Sequence, residues 1–396
     1  MKHFFFDQMP LAPSDPIFQL QVDFQNDLRE EKMDLSIGLY RNAFLETPIL
    51  ESVKLAEKIL LLEETTKTYL PIQGSHNYLQ ETGRLIFGSP LYEEHAHRIA
   101  ALQVPGGTAG IRMIAELLKK SPKRGVAIPL PTWPNHLAIF QQCRYPVETF
   151  SYYNSTHHTV DMPSMLAGMD ALSPGSLFLL HGCCHNPTGM DFSLAEWDCI
   201  LKKIKEKELL VLVDLAYQGL GKSLNEDTFL IRSLLEEGLE FMVASSYSKN
   251  FALYSERVGS LFVITRGEKE ARHVLSQLKV QARVLYSNPP RHGAMLVEQI
   301  LRTPSLKSLW VQEVREMRER IQDMRTLLVE ETTKGGRDFS HLLRGHGMFG
   351  LTGLNSQEVL KLQQLYGIYM TFDGRINLAG LNSKNIHAMV KALHLL

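Results

Sequence analysis

Short runs of apolar residues recur along the 396-residue chain, and each run is followed by a polar or Gly/Pro cluster. The runs are 127–128, 177–180, 209–213, 241–244 and 261–264. The run 209–213 is apolar at every position, which is typical of a strand covered by helices on both faces. Helical patterns occur between the runs, for example at 111–118 and 193–207. This alternation predicts an α/β fold around a largely parallel sheet.

The composition excludes several classes of protein. With 44% hydrophobic and 21% charged residues, the chain is rich enough in apolar side chains for a packed core and too rich for intrinsic disorder. Lys and Arg number 42 against 43 Asp and Glu, which leaves a net charge of -1. Such a chain has no broad basic field, so we predict no nucleic-acid partner and no binding to an anionic membrane.

The cysteines and the apolar segments indicate the cellular compartment in which the protein is expected. The four cysteines are Cys143, Cys183, Cys184 and Cys199. They show no CxxC pairing and no zinc-type spacing with histidine, so we predict reduced thiols and no metal. The apolar part of segment 1–7 is too short for a signal peptide, and no run reaches the ~18 apolar residues of a membrane span. We expect a cytoplasmic protein.

The organisation of the chain changes after Pro304. Apolar residues recur at helical spacing between residues 314 and 328, and charged residues fill the other positions. Beyond the glycines at 335–336, strand-like pieces occur at 348–351 and 375–378. We therefore predict a long amphipathic helix followed by a smaller second domain.

Polar residues that follow the apolar runs are expected at the carboxyl edge of the sheet, where ligands bind in open α/β folds. Asp214 follows the run 209–213, and Lys249 lies shortly after 241–244. A buried carboxylate needs a cationic or hydrogen-bonding partner. A lysine that loses hydration there has a lowered pKa and can form a Schiff base with a carbonyl. Taken singly, Asp214 is better explained as a helix cap or a salt-bridged loop acid, and Lys249 as a solvated surface charge.

Two turns add further polar groups to the same edge. Gly106-Gly107-Thr108 precedes a helical pattern, so its backbone can approach a phosphate closely. The turn is neither a P-loop nor a GxGxxG motif, which counts against a dinucleotide. Asn186 precedes a proline and presents an amide to the crevice. A lysine, an acid, a tyrosine, an asparagine and an anion cradle together suit pyridoxal phosphate.

The chain resembles the aspartate and aromatic-amino-acid aminotransferases of fold type I, and the likeness covers nearly the whole chain. The motifs that carry it are LAPSDP (11–16), HNPTG (185–189), DLAYQG (214–219), YSKN (247–250), ERVG (256–259), YSNPP (286–290) and GRIN (374–377). The resemblance implies a pyridoxal-phosphate-dependent transferase with a mostly parallel seven-stranded sheet between helices, plus a smaller α+β domain. Its divisions would be an arm and part of the small domain (1–45), a large cofactor-binding domain (46–312) and the C-terminal small domain (313–396).

The resemblance also implies catalytic roles. Lys249 would hold the cofactor covalently and then move the proton of the substrate Cα. Asp214 would pair with the ring nitrogen, supported by His136 and His181. Tyr217 would hydrogen-bond the ring oxygen and tune the reactivity of the lysine linkage.

The same resemblance assigns the remaining cofactor contacts. Asn186 would hydrogen-bond the ring oxygen together with Tyr217, and Trp133 would stack on the ring face. The phosphate would be held by Gly106, Gly107, Thr108, Ser246, Arg257 and Tyr69 of the partner subunit.

Substrate binding would use two arginines. Arg375 would bind the α-carboxylate with Asn186 and the backbone of Gly38, and Trp133 would border the substrate. Arg283 from the other subunit would bind the distal carboxylate, so the site requires a homodimer. Amino acids and 2-oxo acids would exchange the amino group in two stages.

The substrate preference stays open between aspartate or glutamate and phenylalanine or tyrosine, because aromatic-accepting relatives keep the arginine at position 283. Leu39 is bulky and apolar, which favours a broader range. Asp373 departs from the family pattern, and its charge either weakens carboxylate binding at Arg375 or faces solvent. Other readings are a decarboxylase or lyase with the same cofactor, a DNA-binding regulator and a nicotinamide dehydrogenase.

Overall fold

The computed structural model of the chain describes residues 6–119 and 125–396. The first five residues of the predicted arm, and with them most of segment 1–7, lie outside the described residues. The strands are β1 (Met33–Asp34), β2 (Ile99–Val104), β3 (Val126–Leu130), β4 (Val147–Ser151), β5 (Tyr153–Asn154), β6 (Thr159–Val160), β7 (Leu177–His181), β8 (Leu210–Leu215), β9 (Phe241–Ser246), β10 (Gly259–Ile264), β11 (Phe349–Leu351), β12 (Ile368–Tyr369) and β13 (Arg375–Asn377).

The helices separate the strands as the alternation predicts. They are α1 (Pro16–Asn26), α2 (Glu51–Glu63), α3 (His76–Phe87), α4 (Ser89–His95), α5 (Gly107–Leu118), α6 (Pro134–Gln142), α7 (Met162–Ala171), α8 (Leu194–Glu206), α9 (Phe229–Glu236), α10 (Glu268–Leu285), α11 (His292–Arg302), α12 (Pro304–Lys334), α13 (Ser356–Tyr366) and α14 (Asn385–His394). Among the described residues, no helix is long and apolar enough to cross a membrane.

The main sheet has seven strands in the order β2-β10-β9-β8-β7-β3-β4. The pairs from β9 to β4 are parallel, whereas β10 is antiparallel to both of its neighbours. The predicted α/β fold with a mostly parallel seven-stranded sheet is therefore confirmed. The apolar runs did not predict β2 and β4. In β4, an edge strand, no residue is fully buried, and it has no continuous apolar run.

Side chains of β8 alternate between two hydrophobic clusters. Val211 and Val213 belong to one cluster and Leu212 to the other. Since successive side chains of a strand point to opposite faces, the two clusters cover the two faces of the sheet. This explains why the run 209–213 is apolar throughout. Asp214 differs from its predicted place, because β8 continues through it to Leu215.

Two helices show how local sequence sets helix ends near the site. In α8, Ser193 and Glu196 form a capping box, in which each side chain accepts from the backbone of the other. Helix α5 instead begins at Gly107 and has no side-chain cap at its N-terminus. Its first backbone N–H groups are therefore available to an anion.

The long helix α12 was predicted from its apolar periodicity, and its buried residues include Trp310, Val314 and Ile321. Its start packs against the segment that follows β9, since Trp310 Nε1 donates to the carbonyl of Asn250 at 2.8 Å. Its later turns pack against α14. Helix α12 thus runs without a break across the predicted boundary at residue 312, and the predicted domain divisions stay predictions.

A smaller sheet system lies at the C-terminal end of α12. Strands β11 and β13 are antiparallel, and β1 pairs in parallel with β12. A segment near residue 34 therefore lies beside the C-terminal part of the chain. This pairing brings the loop after β1 to the edge of the candidate site.

Candidate active site

The carboxyl ends of β7, β8 and β9 meet at one edge of the main sheet. Asp214 of β8 lies in register with His181 of β7, and Ser246 is the last residue of β9. Lys249 follows three residues later. Parallel strands end at the same edge, so these residues share one crevice.

Asp214 belongs to a buried chain of hydrogen bonds. The His136 Nε2 lies 2.9 Å from Asp214 Oδ2, and Thr132 Oγ1 lies 2.8 Å from His136 Nδ1. The Nε2–H of His136 donates to the carboxylate, and its Nδ1 pairs with the Thr132 hydroxyl. Burial favours the neutral acid, but the hydrogen bond and charge of His136 outweigh it, so the pKa of Asp214 is lowered. Sequence reasoning missed Thr132, although its spacing of four residues from His136 fits a helix start.

The other carboxylate oxygen of Asp214 makes no hydrogen bond within the described part of the chain. The ring of His181 lies 5.0 Å from that of His136, and its buried Nε2 has no partner among the described residues. Burial and the charge of His136 lower the pKa of His181 to about 3. A neutral His181 and a charged Asp214 thus face the crevice, which suits a ligand with a protonated ring nitrogen.

Lys249 presents an amine above Tyr217. Its Nζ lies 5.0 Å from the centre of the Tyr217 ring, and it forms no ion pair within the described residues. Burial lowers the pKa of Lys249 and Arg257 adds to this, whereas Asp214 acts in the opposite direction. The amine is therefore easier to deprotonate than a surface lysine. Tyr217 is buried, and burial raises the pKa of its hydroxyl far above the ordinary value.

A cradle for an anion lies beside this lysine. A Cβ atom on Gly106 would lie 2.5 Å from Arg257 Nη2, and one on Gly107 would lie 3.4 Å from Ser246 Cβ. Arg257 itself has a φ of 55° and donates to Ser248 Oγ at 3.3 Å. The glycines keep this space open, and the uncapped start of α5 with Thr108 borders it. The predicted phosphate residues of this chain are therefore brought together.

Arg375 lies on the opposite side of the crevice. Its guanidinium donates to Asn186 Oδ1 at 3.0 Å and to the carbonyl of Ser36 at 2.6 Å, and it lies 4.3 Å from the centre of the Phe349 ring. The buried Nε has no partner among the described residues. Burial lowers the pKa of Arg375. A carboxylate in the crevice would satisfy this group.

Three further predicted residues border the crevice. Trp133 is half-buried at the start of α6, and its ring lies 5.2 Å from His136 edge-on. A Cβ on Gly38 would lie 2.9 Å from the Phe349 ring, so the chain passes close to the site there. Leu39 is half-buried, and its carbonyl accepts from Asn377 at 2.7 Å. Sequence reasoning missed Ser36 and Phe349, whose roles arise from contacts between distant segments.

Asp373 faces solvent in a turn. Its carboxylate accepts from Thr371 Oγ1 at 2.6 Å and from the backbone N–H of Arg375 at 3.3 Å. The acid therefore stabilises the turn that presents Arg375. Of the two expectations for this residue, the structure favours the one in which the charge faces water.

Tyr69 and Arg283 do not join the crevice of their own chain. Tyr69 is 90% exposed, and Arg283 is exposed and donates to Ser287. The two segments are neighbours, because Asn288 Nδ2 donates to the carbonyl of Leu70 at 2.7 Å. Both residues thus lie on one exposed surface. Their assignment to the site of a partner subunit stays a prediction.

Two groups of potential metal ligands occur among the described residues. His136, His181 and Asp214 form one, and Cys183, Cys184 and Asp227 form the other. The first group is the hydrogen-bonded chain above. In the second, both cysteines are buried. The contact with Cys184 and burial raise the pKa of Cys183, whereas burial raises the pKa of Cys184 against the opposing effect of its contact with Cys183.

Comparison with known proteins identifies the family. The sequence pattern of the family "Aminotransferase class I and II" matches residues 30–393. The chain belongs to this family. The predicted family, the aminotransferase class and the fold are confirmed, whereas the roles of individual site residues stay predictions.

Relatives and solved structures extend this finding over the whole length of this aminotransferase. It is 40% identical to an aspartate aminotransferase of Pseudomonas aeruginosa over 391 residues, 98% of each chain. It is also 40% identical to an aromatic-amino-acid aminotransferase of that organism over 398 residues, 99% of this chain and 98% of the relative. An aromatic-amino-acid aminotransferase from Burkholderia pseudomallei, solved covalently bound to pyridoxal phosphate, superimposes with a TM-score of 0.96 at 40% identity over 99% of both chains.

Proposed function

We propose that this aminotransferase moves an amino group between aspartate or glutamate and a 2-oxo acid such as 2-oxoglutarate, and that it also accepts phenylalanine and tyrosine. The observation that carries the proposal is a lysine amine of lowered pKa placed between a buried charged acid and an anion cradle, opposite a buried arginine with an unpartnered donor. Relatives at similar identity are named for aspartate and for aromatic substrates.

Pyridoxal phosphate is the cofactor, as the family and the structure solved with it indicate. The residues present fit it. The free oxygen of Asp214 suits the protonated ring nitrogen. The uncapped start of α5, with the Arg257 guanidinium against Gly106, suits the phosphate. When bound, pyridoxal phosphate supplies an aldehyde that captures amines and a protonated ring that withdraws electrons from the substrate Cα.

The residues of the chain then have separate roles in the reaction. Arg375 and Asn186 bind the substrate carboxylate and orient the Cα–H bond. The Lys249 Nζ, once free and neutral, accepts the proton from Cα. Asp214, held in its charged form by His136, keeps the ring nitrogen protonated. The second stage uses the same residues in reverse with a 2-oxo acid.

The lowered pKa of Lys249 has a testable consequence for pH. Capture of an aldehyde needs the neutral amine, so the rate of cofactor capture should rise with pH and level off below the ordinary lysine value of about 10.4. The measurement is the rate of absorbance change when pyridoxal phosphate is added to cofactor-free protein across this pH range. Replacing Asp214 with asparagine should move the midpoint lower still, because Asp214 opposes the shift. A midpoint at the ordinary value would contradict the assigned environment.

The exposed surface around Tyr69 supports a homodimer with shared sites. Several exposed apolar residues lie at the end of α10 and beside it: Tyr69, Val280, Val284 and Leu285. Exposed apolar side chains grouped in neighbouring segments in this way favour a protein interface. In a dimer, Arg283 would reach the distal carboxylate of a substrate in the other subunit.

Replacing Arg283 with aspartate should separate the substrate classes. We expect kcat/KM for aspartate to fall by about 10²-fold or more, because a paired carboxylate then meets a like charge. The value for phenylalanine should fall far less. Arg272→Asp is a matched control, since Arg272 is exposed on the same helix and its ion pair with Glu268 is at the surface. Equal losses for aspartate and phenylalanine would argue against the proposed role.

Mixing two variants that are each impaired on aspartate tests whether the sites are shared. Lys249→Ala and Arg283→Asp chains, each weak alone on aspartate, should form hybrid dimers with one intact site. Random pairing would restore about a quarter of the wild-type sites. No recovery from a mixture that demonstrably exchanges subunits would place Arg283 in its own chain's site or outside it.

A panel of amino donors with 2-oxoglutarate tests the function as a whole. Transfer appears as glutamate formed from the added 2-oxo acid, whereas a decarboxylase or lyase would release carbon dioxide or a side-chain fragment instead. Aspartate and phenylalanine rates from one preparation settle the order of preference. The cytoplasmic location stays a prediction.

A further inference from the structure

Asp34 lies at the centre of a hydrogen-bonded network on the small-domain side of the site. Its side chain is 1% exposed and forms an ion pair with Arg41 at 2.7 Å. Its carboxylate also accepts from Gln21 Nε2 at 2.8 Å, from the Ser36 N–H at 3.0 Å and from the Ser36 hydroxyl at 2.7 Å. Four donors from three residues therefore converge on one carboxylate.

Arg41 holds the same segment through a second bond. Its Nη1 donates to the backbone carbonyl of Asp34 at 2.7 Å while its Nη2 pairs with the carboxylate. Burial raises the pKa of Asp34, but bonds from Gln21 and Ser36 and the charge of Arg41 outweigh this, so the net pKa lies below the ordinary value. The network is therefore ionised and complete at neutral pH.

This network ends on the arginine proposed to bind the substrate. The Ser36 carbonyl accepts from Arg375 Nη2 at 2.6 Å, one peptide unit away from the N–H and hydroxyl held by Asp34. The other end of the loop is held by Asn377 Nδ2, which donates to the carbonyls of Ile37 and Leu39 at 2.7 Å each. Loop 36–39, which includes Gly38, is thus clamped at both ends.

From these contacts we infer that Asp34, with Arg41 as its counter-ion, is a positioning residue for substrate carboxylates. It sets the place of the Ser36 carbonyl and, through it, the guanidinium of Arg375. Gln21 extends the network to helix α1, so the N-terminal segment is tied to the same group. The inference rests on the proposed function of Arg375.

The α-carboxylate is common to every amino acid and 2-oxo acid, and this gives the inference a distinctive signature. Loss of the network should weaken the binding of all substrates by the same factor, whatever their side chain. An effect on Arg283 would instead change the ratio of kcat/KM for aspartate to kcat/KM for phenylalanine. A merely structural effect would lower thermal stability or the fraction of active enzyme and leave KM unchanged.

The test compares Asp34→Asn with wild-type holoenzyme. An amide offers one acceptor oxygen, so donors from Arg41, Gln21 or Ser36 lose their partner. We expect KM for aspartate and for phenylalanine to rise together by about 5- to 30-fold, with kcat changed far less. The dissociation constant of succinate, measured by calorimetry on the holoenzyme, should rise by a similar factor.

Two further variants keep the test decisive. Ser36→Ala removes the hydroxyl that donates to Asp34 and accepts from Gln21 but leaves the carboxylate in place, so it should give a smaller rise, about 2- to 5-fold. Asp27→Asn is the matched control, because the buried Asp27 carboxylate pairs with Arg29 and accepts from the Tyr369 hydroxyl near the same arm but does not contact Ser36. It should leave KM and succinate binding unchanged.

Unchanged KM and succinate binding in Asp34→Asn, or an equal effect of Asp27→Asn, would overturn the inference. A change in the ratio of kcat/KM for aspartate to kcat/KM for phenylalanine would also overturn the inference, since the network would then act on the side-chain pocket. A wild-type protein that transfers no amino group would instead contradict the proposed function, and succinate binding would still report on the network.

Discussion

Lys249→Ala should lower kcat for amino-group transfer by at least about 10⁴-fold. The variant loses both the amine that captures the aldehyde and the base that accepts the Cα proton, and general acid–base catalysis alone contributes about 10²- to 10⁴-fold. No second lysine is placed to compensate within the described residues, because Lys249 alone has its amine over the Tyr217 ring. The measurement is glutamate formation from aspartate and 2-oxoglutarate.

A mass measurement separates loss of chemistry from loss of fold. After reduction with borohydride, wild-type protein should carry the mass of the cofactor on the peptide that contains Lys249, and the variant should carry none. Lys222→Ala removes an exposed lysine outside the crevice and should behave as wild type in both assays. A fully active Lys249→Ala protein would refute the assignment of this lysine.

Asp214→Asn should lower kcat by about 10²- to 10³-fold. The carboxylate is buried, with 6% exposure, and its charge is maintained by the hydrogen bond from His136. An amide cannot hold the ring nitrogen protonated, and removing one member of a buried charge pair costs about 2–5 kcal/mol. The measurement is kcat together with the dissociation constant of the cofactor, which should also rise.

The conservative variant shows whether charge or shape is responsible. Asp214→Glu keeps the negative charge and should retain much more activity than Asp214→Asn, even though the longer side chain disturbs the bond to His136. If asparagine and glutamate were equally damaging, packing at this position rather than its charge would be the cause. Equal activity of wild type and Asp214→Asn would exclude the pairing with the ring nitrogen.

Local patterns predicted the large sheet and much of the site. The continuous run 209–213 predicted a strand buried on both faces, and the sheet places it between the two hydrophobic clusters. Lys249 and Asp214 are predicted site residues because each follows an apolar run, which puts both at one sheet edge. These predictions hold because the burial of a strand and the position of its end both depend on residues that are adjacent in the sequence.

The predictions were less accurate for the end of β8 and for the strand at the edge of the sheet. Asp214 lies inside β8 rather than after it, because its bond to His136 lets a charged residue remain in a buried strand. Strand β4 was not predicted, since it lies at the sheet edge and lacks a continuous apolar run. For Asp214, the distant partner His136 makes a charged residue compatible with a buried strand. For β4, the lack of a neighbouring strand on its outer side removes the need for a continuous apolar run. Neither effect can be read from the local sequence.

The sequence by itself determined the class of fold, the family and the type of chemistry, because these depend on periodicity and on motifs of a few consecutive residues. Only the tertiary structure decided which donor meets which acceptor. His136 and Asp214 are 78 positions apart, and Arg375 and Ser36 are 339 apart. The alignment of such pairs depends on strand register and on the packing of segments that are distant in the chain, and no local segment contains that information.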